Sequence, residues 1–392
     1  MTIIHKKIKF FLITLCLVLI CLEAYSYFAV LYLNKKGLIY QKPQVRMEEW
    51  KEYLNKRDAI LGWRYIYYRN DYDSSGSRII PAFPNPDSQD PYVSLYGDSF
   101  IFGAEVSNGD ACSNVLAKLL GRRVSNYGVC GYGTDQSYLS FYHHASDKSR
   151  IVILGYLIEN ITRNINRYRY LLNPAKEYKL GFKPRFIMGH NQQIELIPLP
   201  ELNYAGLNKV TGSPEKYLRY EYFAPNRDTR KYKAGFPFTI SLIRIQMKEI
   251  FAKSRQPGKN YYEDFYQPGH SSEALEVTTG IFSEFYFLAK KRGQLPIIIM
   301  IPGYSDFLYY AKNNSWIHNI LVERLIKSNM AVIDAGPEMV KRLKGKSYKE
   351  LFLNPGGHYN TRGNQLLAEI IYEGLNNYFP RSALPPHIKK ES

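Results

Sequence analysis

Four short blocks of this 392-residue chain carry residues that can do acyl chemistry together. The first is Tyr96-Gly97-Asp98-Ser99-Phe100-Ile101-Phe102-Gly103, directly after an apolar run. A serine there is presented on a tight turn at a strand end, with Gly97 permitting the turn and Asp98 able to accept from nearby backbone amides. The second is Asn126-Tyr127-Gly128-Val129-Cys130-Gly131-Tyr132-Gly133-Thr134-Asp135-Gln136. Its glycines let a backbone N–H approach a substrate oxygen closely. It also reads as a plain strand-to-helix turn, with Thr134 or Asp135 as N-cap. The third, Gly155-Tyr156-Leu157-Ile158-Glu159-Asn160-Ile161-Thr162-Arg163-Asn164, supplies Asn160, whose side-chain N–H suits a developing oxyanion. An isolated asparagine is equally a cap or loop residue. The fourth is Asn354-Pro355-Gly356-Gly357-His358-Tyr359-Asn360-Thr361-Arg362-Gly363-Asn364, which puts an imidazole on a glycine-rich loop able to reach a serine. Serine is a poor nucleophile until a base takes its proton, and a tetrahedral intermediate needs convergent donors. No block is specific alone; their value lies in the set.

The elements that must position these blocks are short apolar runs alternating with amphipathic stretches. Tyr92–Tyr96, Arg123–Asn126, Ile151–Tyr156, Pro296–Ile301 and Ala331–Asp334 read as strands. Ser113–Leu120, Ser271–Arg292, Trp316–Ser328 and Thr361–Tyr378 read as helices. Continuous apolar strands between helices predict a five-stranded parallel sheet covered on both faces, a three-layer α/β/α sandwich. The first three blocks each follow a strand, and the fourth precedes the last helix. The basic, aromatic stretch 165–270 breaks the rhythm and reads as an insertion, with a hairpin expected from Pro184–Met188 and Gln193–Pro198 around Gly189-His190-Asn191-Gln192.

Taken in this order, the four blocks resemble the SGNH subgroup of the GDSL hydrolase superfamily over about residues 90–380, and bacterial membrane-anchored members in particular. The resemblance implies a flavodoxin-like fold. It implies Ser99 as nucleophile, His358 as general base, and an oxyanion hole from the Ser99 and Gly131 backbone N–H groups and the Asn160 side chain. The chain departs from the pattern twice. The family's acid lies two or three residues before the histidine, where this chain has Gly356 and Pro355. The imidazole must then be oriented by a backbone carbonyl, by Asn354, or by a distant carboxylate such as Asp334 or Glu350. The family's asparagine is usually followed by aspartate, and here Ile161 follows Asn160.

The remaining composition sets the location. His5-Lys6-Lys7-Ile8-Lys9 precedes an apolar stretch from Phe10 to Leu33 interrupted by Glu23, long enough to span a bilayer as a helix. A cleaved signal peptide with Ala24 and Ser26 near its cleavage site is the rival, but the apolar run continues through Tyr27–Leu33. The expected layout is an anchor at 1–36, a stalk or lead-in at 37–90, the hydrolase-like domain at 91–380 with its insertion, and a tail at 381–392. The expected location is the inner membrane, single-pass, with the catalytic domain extracytoplasmic, in the periplasm. Cys112 and Cys130 fall in the exported part, where a disulfide is permitted and its pairing is left open.

The formal net charge is +17. It attracts acidic polymers and anionic headgroups, but the exported location and the absence of a basic arm disfavour nucleic acid. The 35 tyrosines, several beside basic residues as in Arg64-Tyr65-Ile66-Tyr67-Tyr68-Arg69 and Arg167-Tyr168-Arg169-Tyr170, suit sugar surfaces as well as ordinary packing. His143 and His144 are adjacent, but no Cys/His/Asp cluster has metal-ligand spacing, and acyl-ester chemistry needs no cofactor. The expected function is ester hydrolysis or O-acyl transfer through an acyl-Ser99 intermediate, on a cell-envelope or exported acylated glycan or a small ester. The alternative is a glycan-binding or assembly subunit that keeps the fold without efficient turnover.

Overall fold

Five apolar runs become parallel strands because each is buried on both faces. A computed structural model of the chain describes residues 3–36, 39–64, 69–87, 89–225, 232–255 and 260–379. The tyrosine run at 65–68 and the tail expected at 381–392 lie outside them. Along the chain the strands are β1 (Val93–Tyr96), β2 (Val124–Asn126), β3 (Ile151–Leu157), β4 (Arg185–Met188), β5 (Ile194–Ile197), β6 (Leu295–Ile301) and β7 (Val332–Asp334). β4 and β5 form the expected antiparallel hairpin, and the other five form one parallel sheet in the order β2-β1-β3-β6-β7. That is the flavodoxin-like order, whose crevice lies at the carboxyl ends of the strands.

The chain divides into two compact units. The larger comprises Tyr53–Arg167, Gly181–Pro200 and Asn260–Ser392 and holds both sheets. Numbered along the chain, its helices are α3 (Ser99–Phe102), α4 (Cys112–Leu120), α5 (Thr134–His143), α6 (Asn160–Arg163), α10 (Ala274–Lys291), α11 (Tyr304–Asn313), α12 (Asn319–Lys327), α13 (Ala335–Leu343) and α14 (Thr361–Tyr378). α4, α13 and α14 cover one face of the five-stranded sheet, while α5, α10 and α12 cover the other. Val93, Leu95, Ile151, Ile153, Ile297, Ile299 and Ile333 meet Leu116, Met339, Leu367 and Ile371 on the first face. The alternate residues Tyr96 and Tyr156 meet Phe141 and Phe282 edge-on at 5.3 and 5.4 Å on the second. This period-2 split places α3, and therefore Ser99, at one strand end. The fit is tight: a Cβ on Gly155 of β3 would lie 2.2 Å from Ile101 Cγ1, and Ile101 is fully buried in α3. Gly155→Ala is expected to cost about 1–3 kcal/mol by overpacking and to lower turnover by displacing α3, as a melt and an esterase assay on the same preparation would show.

The lead-in expected at 37–90 is not a loose stalk throughout. Residues from Tyr53 onward belong to the larger unit. Trp63 is buried, its indole N–H donates to Cys130 O at 3.2 Å, and its carbonyl accepts from Tyr132 Oη at 2.6 Å. The buried Arg78 guanidinium donates to Val106 O and Asn108 Oδ1, both at 2.7 Å. A polar, proline-bearing composition hides this packing because a few large side chains and backbone carbonyls carry it. The insertion expected at 165–270 is likewise not one body. Its hairpin belongs to the larger unit, whereas Tyr168–Leu180 and Glu201–Lys259 join Met1–Glu52 in the smaller one.

The smaller unit contains α1 (Ile3–Lys35), α7 (Tyr204–Gly212), α8 (Pro214–Tyr217) and α9 (Phe238–Arg255), and α2 (Met47–Lys56) spans the division. Among the described residues α1 is the one helix long and apolar enough to cross a membrane, by length and composition. Cys112 and Cys130 are both free. Cys112 packs in the main core and Cys130 against Phe102 and Ala104, so separate apolar clusters keep them unbridged. Burial pushes the Cys130 thiol up to about 12.

Candidate active site

Ser99 is the first residue of α3, immediately after β1, and is nearly buried. Asp98 caps the helix by accepting from Phe100 N at 2.9 Å. His358 approaches on the loop before α14, where Leu353 N donates to His358 O at 3.0 Å and Gly357 N to Asn354 O at 3.0 Å. Phe100 packs against the imidazole with ring centroids 5.3 Å apart. Asn360 closes the loop by capping α14, its Oδ1 accepting from Gly363 N at 3.0 Å. The outcome is direct contact: His358 Nε2 lies 2.9 Å from Ser99 Oγ, across 259 positions of chain.

The second and third blocks reach the same sheet end. Asn126 is a brace: its Nδ2 donates to Ile101 O at 2.7 Å and Ser113 Oγ at 3.0 Å, and its Oδ1 accepts from Gly128 N at 2.9 Å. Gly128 passes so close to α3 that a Cβ there would lie 2.5 Å from Phe102 N. Gly131 adopts φ +83°, the left-handed region that favours glycine. Neither Thr134 nor Asp135 is the N-cap of α5. That position is Gly133, whose N–H donates to Gln136 Oε1 at 3.2 Å. Asn160 opens α6 just after β3 and is fully buried; its Nδ2 donates to Asp98 Oδ2 at 3.1 Å and its Oδ1 has no hydrogen-bond partner.

Asp98 is therefore the hub that joins the first block to the third. The same Oδ2 accepts from Arg163 Nη1 at 3.2 Å, and that Nη1 also donates to Tyr132 O at 2.9 Å, tying the second block to the third. Arg163 pairs in addition with Glu159. Burial pushes the Asp98 carboxyl above its ordinary value, against the opposing pull of Arg163. Ile161 is fully buried, so where the family carries an aspartate this chain places a packing residue.

The structure also identifies a carboxylate that the sequence reading missed. Glu105 Oε2 lies 3.3 Å from His358 Nδ1, within ion-pair distance but without hydrogen-bond geometry, and that nitrogen has no hydrogen bond otherwise. Glu105 is a non-glycine residue at φ +67°, at the exit of the loop that carries Ser99. The carboxylates considered from sequence are engaged elsewhere. Asp334 Oδ2 is 3.1 Å from His318 Nε2 and its Oδ1 caps α13, while Glu350 pairs with Arg362. Asn354 packs against Gly357 within its own loop. Among the described residues no group of three or more His, Cys, Asp or Glu side chains is arranged to hold a metal ion.

No family model and no curated protein matches the chain. Among solved structures it is similar to a lipolytic protein of the G-D-S-L family from Desulfitobacterium hafniense, at 12% identity over 72% of this chain and 98% of that one, with a TM-score of 0.35. It is similar to a catalytic mutant of an acetylxylan esterase from Geobacillus stearothermophilus at 10% identity over 73% and 94% of the two chains, TM-score 0.35. It is similar to a GDSL-like lipase from Bacteroides thetaiotaomicron at 10% identity over 73% and 88%, TM-score 0.33. Likenesses this distant decide nothing about activity. In its own sheet order and its Ser99–His358 contact, the chain has a flavodoxin-like α/β/α sandwich with a serine–histidine pair at the end of β1.

Proposed function

We propose that this chain is a membrane-anchored, extracytoplasmic serine esterase or O-acyltransferase. The observation that carries the reading is the 2.9 Å contact between Ser99 Oγ and His358 Nε2 at the carboxyl end of a parallel sheet. With Nε2 accepting, His358 takes the hydroxyl proton as Ser99 Oγ attacks an ester carbonyl. The tetrahedral oxyanion is held by the Ser99 and Gly131 backbone N–H groups and by the Asn160 amide N–H that does not serve Asp98. Collapse expels the alcohol, which leaves with the proton from His358, and acyl-Ser99 remains. Water or a sugar hydroxyl, deprotonated by the same imidazole, then takes the acyl group. Hydrolysis and transfer use the same residues and differ in which hydroxyl reaches the acyl-enzyme.

Glu105 is the positioning residue of this scheme, its Oε2 orienting the ring electrostatically from 3.3 Å off Nδ1. It is about half exposed, so water screens it. Glu105→Gln is therefore expected to lower kcat about tenfold, far less than the ~10⁴-fold loss when a buried triad acid is neutralised. Glu105→Asp, with a retained charge, keeps more activity than Glu105→Gln. A Glu105→Gln variant with the kcat of the parent would reduce the site to a dyad.

For the substrate we propose an acylated cell-envelope or exported glycan, supported by the net charge of +17, the tyrosine-rich composition and the membrane-spanning reading of α1. In this reading the catalytic unit lies on the periplasmic side of the inner membrane. Acetyl release measured on acidic glycan, neutral glycan and lipid esters tests this, and release from the lipid ester alone would overturn it.

A further inference from the structure

We propose that α9 is a second membrane element, docked on the outer half of α1 with its apolar stripe in the acyl chains and its basic residues at anionic headgroups. The proposal rests on the reading of α1 as a membrane span. At ~1.5 Å per residue Glu23 stands about 20 Å along α1 from Phe10, inside a hydrocarbon core of about 30 Å entered near Phe10. An ionisable side chain at that depth is costly unless it finds a partner. Glu23 finds one: its carboxylate accepts from the backbone N–H of Phe238 and from that of Thr239 at 3.1 Å, the open donors at the start of α9. Ser26 Oγ adds a hydrogen bond to Thr239 Oγ1 at 2.9 Å, and the Tyr27 and Phe238 rings lie 5.2 Å apart. The Ala24–Ser26 stretch, where a signal peptidase would cut, thus lies within an unbroken helix that holds α9.

The depth of Glu23 places the first turn of α9 in the bilayer, and the exposed surface of α9 suits that medium. Phe236, just before the helix, is 79% exposed, and Ile240, Ile243 and Met247 are 47%, 53% and 52% exposed. At about 100° per residue the three helical positions fall within roughly 60° of one another, beginning about 40° from Thr239, which meets α1. Arg244 and Lys248 lie along the edge of the stripe farther from Thr239 and are exposed. Along its length α9 carries Arg244, Lys248, Lys253 and Arg255 against one acid, Glu249. An apolar stripe edged by basic residues and continuous with a spanning helix fits an anionic lipid surface.

The test uses the full chain with Cys16→Ser and Cys21→Ser, nitroxide-labelled at Leu17→Cys, Ile243→Cys, Met247→Cys or Lys248→Cys, in vesicles of phosphatidylcholine and phosphatidylglycerol. Labels at 17, 243 and 247 are expected to collide several-fold more with oxygen than with a water-soluble nickel chelate, and the label at 248 to reverse that preference. If 243 and 247 are open to nickel while 17 is not, the span stands and the proposal falls. If 17 is also open to nickel, both fall. Dipolar broadening between copies at 243 would make the face a self-association surface and overturn the lipid assignment. A readout independent of labelling is amide exchange over residues 238–248 in the unmodified chain. It is expected to slow several-fold when phosphatidylglycerol is added to phosphatidylcholine vesicles, and no slowing overturns the proposal.

Discussion

In Ser99→Ala, hydrolysis of a small acetyl ester is expected to fall by roughly 10⁵–10⁶-fold, and fluorophosphonate labelling of the chain to disappear. The magnitude follows from the site geometry. Removing Oγ deletes the atom that His358 Nε2 contacts at 2.9 Å, so the base has no nucleophile proton to take. His358→Ala is expected to cost about as much, and the double variant little more, because residues that act as one unit do not add. The residual rate then comes from binding and the oxyanion donors. Incubation with candidate acyl donors followed by mass spectrometry of the Ser99 peptide tests nucleophile and acyl group together. No adduct on the unmodified chain, together with turnover equal to that of Ser99→Ala, sinks the enzyme reading and leaves the glycan-binding or assembly subunit in its place.

Lys183→Met is expected to destabilise the larger unit by about 3–5 kcal/mol, the usual cost of leaving one member of a buried ion pair alone. Lys183 and Asp135 are both fully buried and paired. The Lys183 ammonium also donates to Arg163 O at 3.1 Å, Asn166 O at 2.9 Å and Pro184 O at 3.0 Å. Burial alone pushes the Asp135 carboxyl up, and Lys183 is the largest influence in the opposite direction. Without the lysine an uncompensated carboxylate and three carbonyls remain. The melting midpoint of the full chain should drop by roughly 10 °C. Adding Asp135→Leu should restore most of it, since exchanging both members for apolar residues is often close to neutral. A single variant as stable as the parent would show that water or local rearrangement already relieves the pair. The variant should also lose activity, because the lysine fixes the backbone of Arg163, which holds Asp98 beside Ser99.

The core architecture was legible in sequence for a physical reason. A strand buried on both faces is a continuous apolar run, and Ile151–Leu157 and Leu295–Ile301 carry that signal almost without interruption. The first three motif blocks follow β1, β2 and β3 directly, so their arrival at one sheet edge follows from parallel order, and His358 is announced by its glycine-rich loop. Glu105 was not legible. A single glutamate in a chain with 35 acidic residues carries no address, and only the left-handed turn after α3 brings it to the imidazole. The role of Asp98 as hub was half legible: its local cap follows from Gly-Asp-Ser, whereas its bonds to Asn160 and Arg163 join side chains more than sixty positions apart.

The lead-in and the insertion show the same divide. Turn-rich composition marks where helices and strands stop, but it is silent on whether a Trp63 or an Arg78 finds a carbonyl to bond. Glu23 read as a blemish in an apolar run until α9 supplied its donors. Periodicity and motif order determined the sandwich, the serine and the histidine, because those signals are local and repeat along the chain. The carboxylate beside His358, the bonds of Asp98 to Asn160 and Arg163, and the partners of Glu23 were decided by tertiary structure, because each is a pairing of single residues that nothing local marks.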